Sequence, residues 1–180
     1  MTRIIITLAA ALLAGAAQAA PVREAATGLI VDPPAGYAVQ AQAPDQQHAA
    51  RLSVKRPTDT DGGCQIGFSA TAANARFTQP QINAITGGSA WQDAAKAALA
   101  PVYDITETRV VDFGNTRGLE LQADFKQRRE LPPRAQQVRS YFAIMETPRG
   151  RTTVVCVADR SDFTARLSDF TAIAHGTTPP

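Results

Sequence analysis

The stretch from Val138 to Ala158 constrains the fold more than any other. Two apolar runs, V-R-S-Y-F-A-I-M-E and R-T-T-V-V-C-V-A, flank a turn at Thr147-Pro148-Arg149-Gly150. Apolar runs around a Pro/Gly turn predict a β-hairpin. Side chains alternate along a strand, so Phe142 and Ile144 point one way while Tyr141, Ala143 and Met145 point the other. A strand that is apolar on both faces needs cover on both faces. The hairpin is therefore expected in the middle of a layered fold.

The neighbouring segments supply a sheet and its cover. Asp104–Phe113 and Arg117–Lys126 read as two further strands, with Gly114-Asn115 at the turn between them. In the second, Leu119, Leu121, Ala123 and Phe125 alternate with Glu120, Gln122, Asp124 and Lys126. That pattern predicts one face against a core and the other in water. Earlier in the chain, Thr27–Val31, Tyr37–Ala43, Ala50–Lys55 and Cys64–Ala70 read as strands, the last with Cys64, Ile66, Phe68 and Ala70 on one face. Residues 20–26 read as a loose arm. Pro57 to Gly63 reads as a polar turn; its Asp59, Asp61 and Gly62 lack the closing Glu of a calcium loop.

Between the early strands and the meander the period changes to that of a helix. Thr78 with Pro80 opens a short helix, and Gly87-Gly88 ends it. Ser89 and Gln92 have capping-box spacing and open a second helix that runs to Leu99, before Pro101. Its apolar stripe is Trp91, Ala94, Ala95, Ala98 and Leu99. Trp91 at that spacing reads as a core anchor ahead of a ligand-stacking platform. After Asp159-Arg160-Ser161, the residues Phe163, Leu167, Phe170 and Ala174 predict an amphipathic helix packed on the sheet. The expected class is thus α+β: an antiparallel sheet, with a meander over 104–158, covered by helices on both faces.

The first residues carry an address. Met1-Thr2-Arg3, an uncharged run from Ile4 to Ala17, and Ala17-Gln18-Ala19 describe a secretory signal peptide over residues 1–19, cleaved after Ala19. The apolar run is shorter than the roughly 20 residues that span a bilayer. Residues 20–180 then form a single α+β domain with no transmembrane segment. Arginine far exceeds lysine and alanine is abundant, a composition that suggests a GC-rich bacterial genome. The expected location is the periplasm, or secretion beyond it. In such a compartment the two cysteines, Cys64 and Cys156, are expected to form one disulfide, ahead of two buried free thiols. Closing so long a loop contributes on the order of 2–4 kcal/mol.

Chemistry-bearing residues are sparse. His48 and His175 have no Cys, Asp or Glu at metal-ligand spacing, and no G-x-S-x-G, H-E-x-x-H or phosphate loop occurs. No catalytic residue, metal or cofactor is nominated, which lowers the expectation of an enzyme. The densest charged feature is the loop K-Q-R-R-E-L-P-P-R-A-Q-Q-V-R, holding Arg128, Arg129, Arg134 and Arg139. It reads as a solvated loop or as a binding site for an anionic ligand or an envelope protein. Arg149 and Arg151 lie at the next hairpin tip, at the opposite end of the sheet in a meander. The formal charge of the whole chain is only +2, so nucleic acid is not an expected partner. The leading expectation is a noncatalytic binding or accessory protein. The alternative is a small periplasmic hydrolase or envelope-modifying enzyme with a dispersed site.

The layout resembles the PsbP-like (Mog-type) fold. The residues that carry the resemblance are Pro34-Ala35-Gly36-Tyr37, the meander from 104 to 158, and Phe163, Leu167, Phe170 and Ile173. It spans most of residues 20–180. It implies an antiparallel sheet with helices on both faces and a mainly noncatalytic role, as in photosystem accessory subunits, a small-GTPase-binding factor and exported bacterial proteins. The family's partner-binding residues match no motif here.

Overall fold

The computed structural model describes residues 20–60 and 62–180. The signal peptide expected over residues 1–19 lies outside them. The hairpin forms where the apolar runs require it. In chain order the elements are β1 (Val22–Arg23), β2 (Ile30–Val31), β3 (Ala38–Gln42), β4 (Ala50–Lys55), β5 (Gly63–Ala70), α1 (Gln79–Thr86) and α2 (Ser89–Leu99), followed by β6 (Tyr103–Phe113), β7 (Thr116–Phe125), β8 (Val138–Thr147), β9 (Gly150–Asp159), α3 (Arg160–His175) and β10 (Thr177–Thr178). Strands β8 and β9 pair from Val138 opposite Asp159 to Thr147 opposite Gly150. Only Pro148 and Arg149 lie between them, and Gly150 has a φ of 147°, a conformation that glycine adopts without penalty.

The main sheet is antiparallel, in the order β3-β4-β5-β9-β8-β7-β6. The meander β6-β7-β8-β9 forms one half, and β9 docks on β5 of the early half. Cys64 and Cys156 sit opposite each other at that seam and are disulfide-bonded, 92 residues apart in sequence. A second, small sheet joins β1, β2 and β10. The arm expected over residues 20–26 is therefore tied down, because Val22 and Arg23 pair with Val31 and Ile30.

Each face of the hairpin has its cover. Tyr141, Ala143 and Met145 join Leu52, Val54, Ile66, Cys64 and Cys156 in a core that Phe163, Phe170, Ile173 and Ala174 of α3 close. Phe142 and Ile144 join Leu119, Leu121 and Ala123 in a second cluster, against which Trp91, Ala95 and Leu99 of α2 pack. At about 25 cal/mol per Å² of apolar surface removed from water, these two layers dominate the stabilisation.

Three expectations about the packing are corrected. The polar face of β7 is not open to water throughout: Glu120 is 3% exposed, because the C-terminal turn of α3 and Tyr141 lie over it. On α2 the contacting stripe is Trp91, Ala95 and Leu99 alone, and Ala94 and Ala98 are exposed. Alanine carries too little apolar surface to show which helix face is inward. Helix α2 also has Gly88, not Ser89, as its N-cap. Helix α1 begins as expected, with Thr78 as N-cap, the Gln81 side chain accepting from the Thr78 amide at 2.8 Å, and Pro80 in the first turn.

Candidate functional site

Because the strands alternate in direction, three connections gather at one end of the sheet. These are the β4–β5 turn, the β7–β8 loop (126–137) and the junction of β9 with α3. The register sets Asp124 opposite Arg139 and Val138 opposite Asp159. The Pro148-Arg149 tip lies at the other end of β8, so Arg149 and Arg151 do not join the loop arginines.

The four loop arginines divide into two pairs with different surroundings. Arg139 makes a bidentate bond with Asp124, Nε and Nη2 each donating over 2.9 Å. Those hydrogen bonds hold the Asp124 carboxyl below the usual carboxylate range. Arg134 is ion-paired with Asp159 at the start of α3. Both side chains thus fasten the base of the loop. Arg128 and Arg129 are exposed near its tip.

Beneath the loop base is an open polar cleft of about 260 Å³, lined by Arg56, Asp59, Arg134, Asp159, Asp162 and Arg166 among others. Its floor is a buried network. The Arg166 side chain is 7% exposed, and its Nη2 donates to Asp59 Oδ2 at 2.9 Å and to the Tyr37 hydroxyl at 3.1 Å. The Tyr37 hydroxyl donates to Asp169 at 2.9 Å. Asp59 also accepts from the Arg56 amide at 3.0 Å and pairs with the Arg56 guanidinium at 3.4 Å. Burial opposes charge on Asp59, but the Arg56 amide and the Arg166 guanidinium outweigh it and hold its pKa below the ordinary value. One carboxylate thus serves two guanidiniums. Asp59 turns inward to these arginines, which accounts for it as part of a structural turn. Sequence reasoning did not single out Arg56 or Arg166. The available signal was Arg166 itself, which falls between Phe163 and Phe170 on the helix face that packs on the sheet.

A second cluster of ionisable groups lies under α3. Glu120 accepts from the Tyr141 hydroxyl at 2.7 Å and from Arg109 at 2.6 Å, and His175 Nε2 stands 3.9 Å away. Burial, then the bond to Glu120, raises the Tyr141 pKa far above that of an ordinary phenol. The space among Glu120, Arg109 and Tyr141 is too tight to hold a water molecule. Catalysis by a dispersed site needs convergent groups and room for a substrate. The Glu120 cluster has the groups without the room. The cleft has the room; there Asp59 and Asp159 are engaged by arginines, and Asp162 accepts from the neighbouring Ser161 hydroxyl. Among the described residues, no three of His, Cys, Asp or Glu come together to hold a metal ion, and no helix is long and apolar enough to cross a membrane.

A seven-stranded antiparallel sheet with α3 on one face and α1 and α2 on the other defines the PsbP-like α+β fold. A solved structure with that architecture is cyanobacterial PsbP (CyanoP) from Synechocystis sp. PCC 6803, which this chain matches with a TM-score of 0.58 over 96% of its own length and 99% of the other. The sequences are 9% identical, so the likeness is one of fold. No family model matches the chain, and no curated protein matches it in sequence. The disulfide fits an oxidising compartment.

Proposed function

We propose that this is a noncatalytic binding or accessory protein, exported to the bacterial periplasm, that contacts an anionic partner through its 126–139 loop. Export rests on the charge, apolar run and A-x-A site of residues 1–19. The accessory role takes support from the fold, although fold alone does not fix function.

The observation that carries the reading is the division among the loop arginines. Arg134 and Arg139 are spent on Asp159 and Asp124, whereas Arg128 and Arg129 are exposed on a loop fastened at its base. Holding the loop in place lowers the ordering cost of a contact. Planar guanidiniums suit carboxylate or phosphate groups on a partner. In this reading Arg128 and Arg129 make the contact, and Arg134 and Arg139 position them.

The test compares capture from an envelope extract by the wild type and by Arg128→Ala/Arg129→Ala. Among the described residues neither arginine side chain makes an ion pair or hydrogen bond, so the double variant should fold normally and lose the partner, and wild-type capture should weaken with salt. Equal capture by both proteins would refute the reading.

A further inference from the structure

At the other end of β8 the structure holds a groove of a different kind. It measures about 250 Å³ and lies where the 3-10 turn at Ala72–Arg76 and helix α1 meet the start of α2. Phe77, Ile82, Ile85 and Trp91 supply its apolar lining, with Arg76 and Arg151 among its polar residues. Ile85 is 44% exposed, one of three large apolar residues so exposed among the described residues. A lone exposed isoleucine needs no explanation, but one that shares a concave surface with half-buried Trp91 and Phe77 does.

The walls are fastened independently of any ligand. Asn74 donates to Glu146 Oε2 at 2.9 Å and to the Thr147 carbonyl at 3.1 Å. Gln79 donates to the Glu146 carbonyl at 3.1 Å, and the Thr86 hydroxyl donates to the Arg117 carbonyl at 2.8 Å. These bonds pin the 3-10 turn and α1 to β8 and β7, so the groove is preformed, as small-molecule sites usually are.

Charge around the groove is one-sided. Glu146 is buried, and its carboxylate is taken up by Asn74 and by Arg151 at 2.7 Å. Arg76 is exposed, with its guanidinium 4.9 Å from the centre of the Phe77 ring, and no carboxylate among the described residues pairs with it. An apolar floor beside an available guanidinium matches a ligand with an apolar tail and one anionic head. The volume lies just below the roughly 300–1,000 Å³ of drug-sized sites, which limits the tail to medium length. We propose that this groove binds a free amphiphilic carboxylate of medium chain length, its tail against Phe77, Ile85 and Trp91 and its carboxylate at Arg76. The site is separate from the 126–139 loop and stands or falls independently of it.

Trp91 is the chain's only tryptophan, so its fluorescence reports on the groove directly. The probe is decanoate, titrated below its micelle concentration, with decanol as the neutral counterpart. The expected result is a saturable blue shift with decanoate, and amide chemical-shift changes confined to residues 73–91, 146 and 151. Arg76→Gln should weaken decanoate about fivefold, the weight of one exposed charge contact, and leave decanol binding unchanged. Ile85→Asp, at a solvent-facing position, should abolish the shift while the circular dichroism spectrum stays that of the wild type. No saturable shift, equal affinity of wild type and Arg76→Gln for decanoate, or amide changes centred elsewhere would each overturn the proposal.

Discussion

Cys64 and Cys156 stand directly opposite each other on adjacent strands β5 and β9, and their bond joins the early half of the sheet to the meander across 92 residues of sequence. A crosslink that closes so long a loop acts mainly by restricting the unfolded chain. Cys64→Ala/Cys156→Ala should lower the free energy of unfolding by about 2–5 kcal/mol. Urea unfolding measures this, and thiol titration of the unfolded, unreduced wild type should find no free thiol. Two free thiols would contradict the bond.

Among the described residues, Asp59 is the one carboxylate paired with both Arg56 and Arg166. Its folded pKa lies below the ordinary 3.8, so the stability it confers is present above that pH and is lost as pH falls through the folded value. Asp59→Asn leaves the buried Arg166 guanidinium without a counter-charge and should cost about 3–5 kcal/mol at pH 7. The gap between wild type and variant should narrow below pH 3.8. A gap that is independent of pH would argue against the pair.

All three tyrosines titrate above the ordinary phenol value of 10.0, burial being the largest cause for Tyr37, Tyr103 and Tyr141 alike. Absorbance of the folded protein should therefore show less tyrosinate at pH 10 than the urea-unfolded chain, which is about half ionised there. Equal ionisation in the two states would place these hydroxyls in water.

Gly118 on β7 lies against β8 with no space for a side chain. A Cβ there would stand 2.3 Å from the Ile144 carbonyl oxygen and 3.1 Å from the Phe113 ring. The first neighbour is backbone and cannot swing aside. Gly118→Ala should cost about 1–3 kcal/mol, the usual range for overpacking. A neutral effect in thermal unfolding would mean that β7 and β8 are spaced more widely than described.

What the sequence made legible follows from what alternation reports. The opposed sets Phe142/Ile144 and Tyr141/Ala143/Met145 gave the central hairpin and its need for two covers, because both sets are large and apolar. Glu120 was misread because alternation assigns a residue to a face and does not say what covers that face. Arg166 was passed over because its neighbours on the helix, Phe163 and Phe170, define an apolar stripe on their own. The pairing of Arg134 with Asp159 and of Arg139 with Asp124 depends on strand register, which no local pattern contains. The basic loop looked like one feature in sequence. Its division into structural and exposed arginines could be seen only in three dimensions.

The functional account turns on Arg128 and Arg129, and a chemical-shift titration with a hexaglutamate peptide tests it most directly. At low salt the amide shifts should fall on residues 126–139. They should vanish in Arg128→Ala/Arg129→Ala and fade as salt is added. Shifts centred on Arg149 and Arg151 at the far hairpin tip, or a double variant that responds like the wild type, would contradict it.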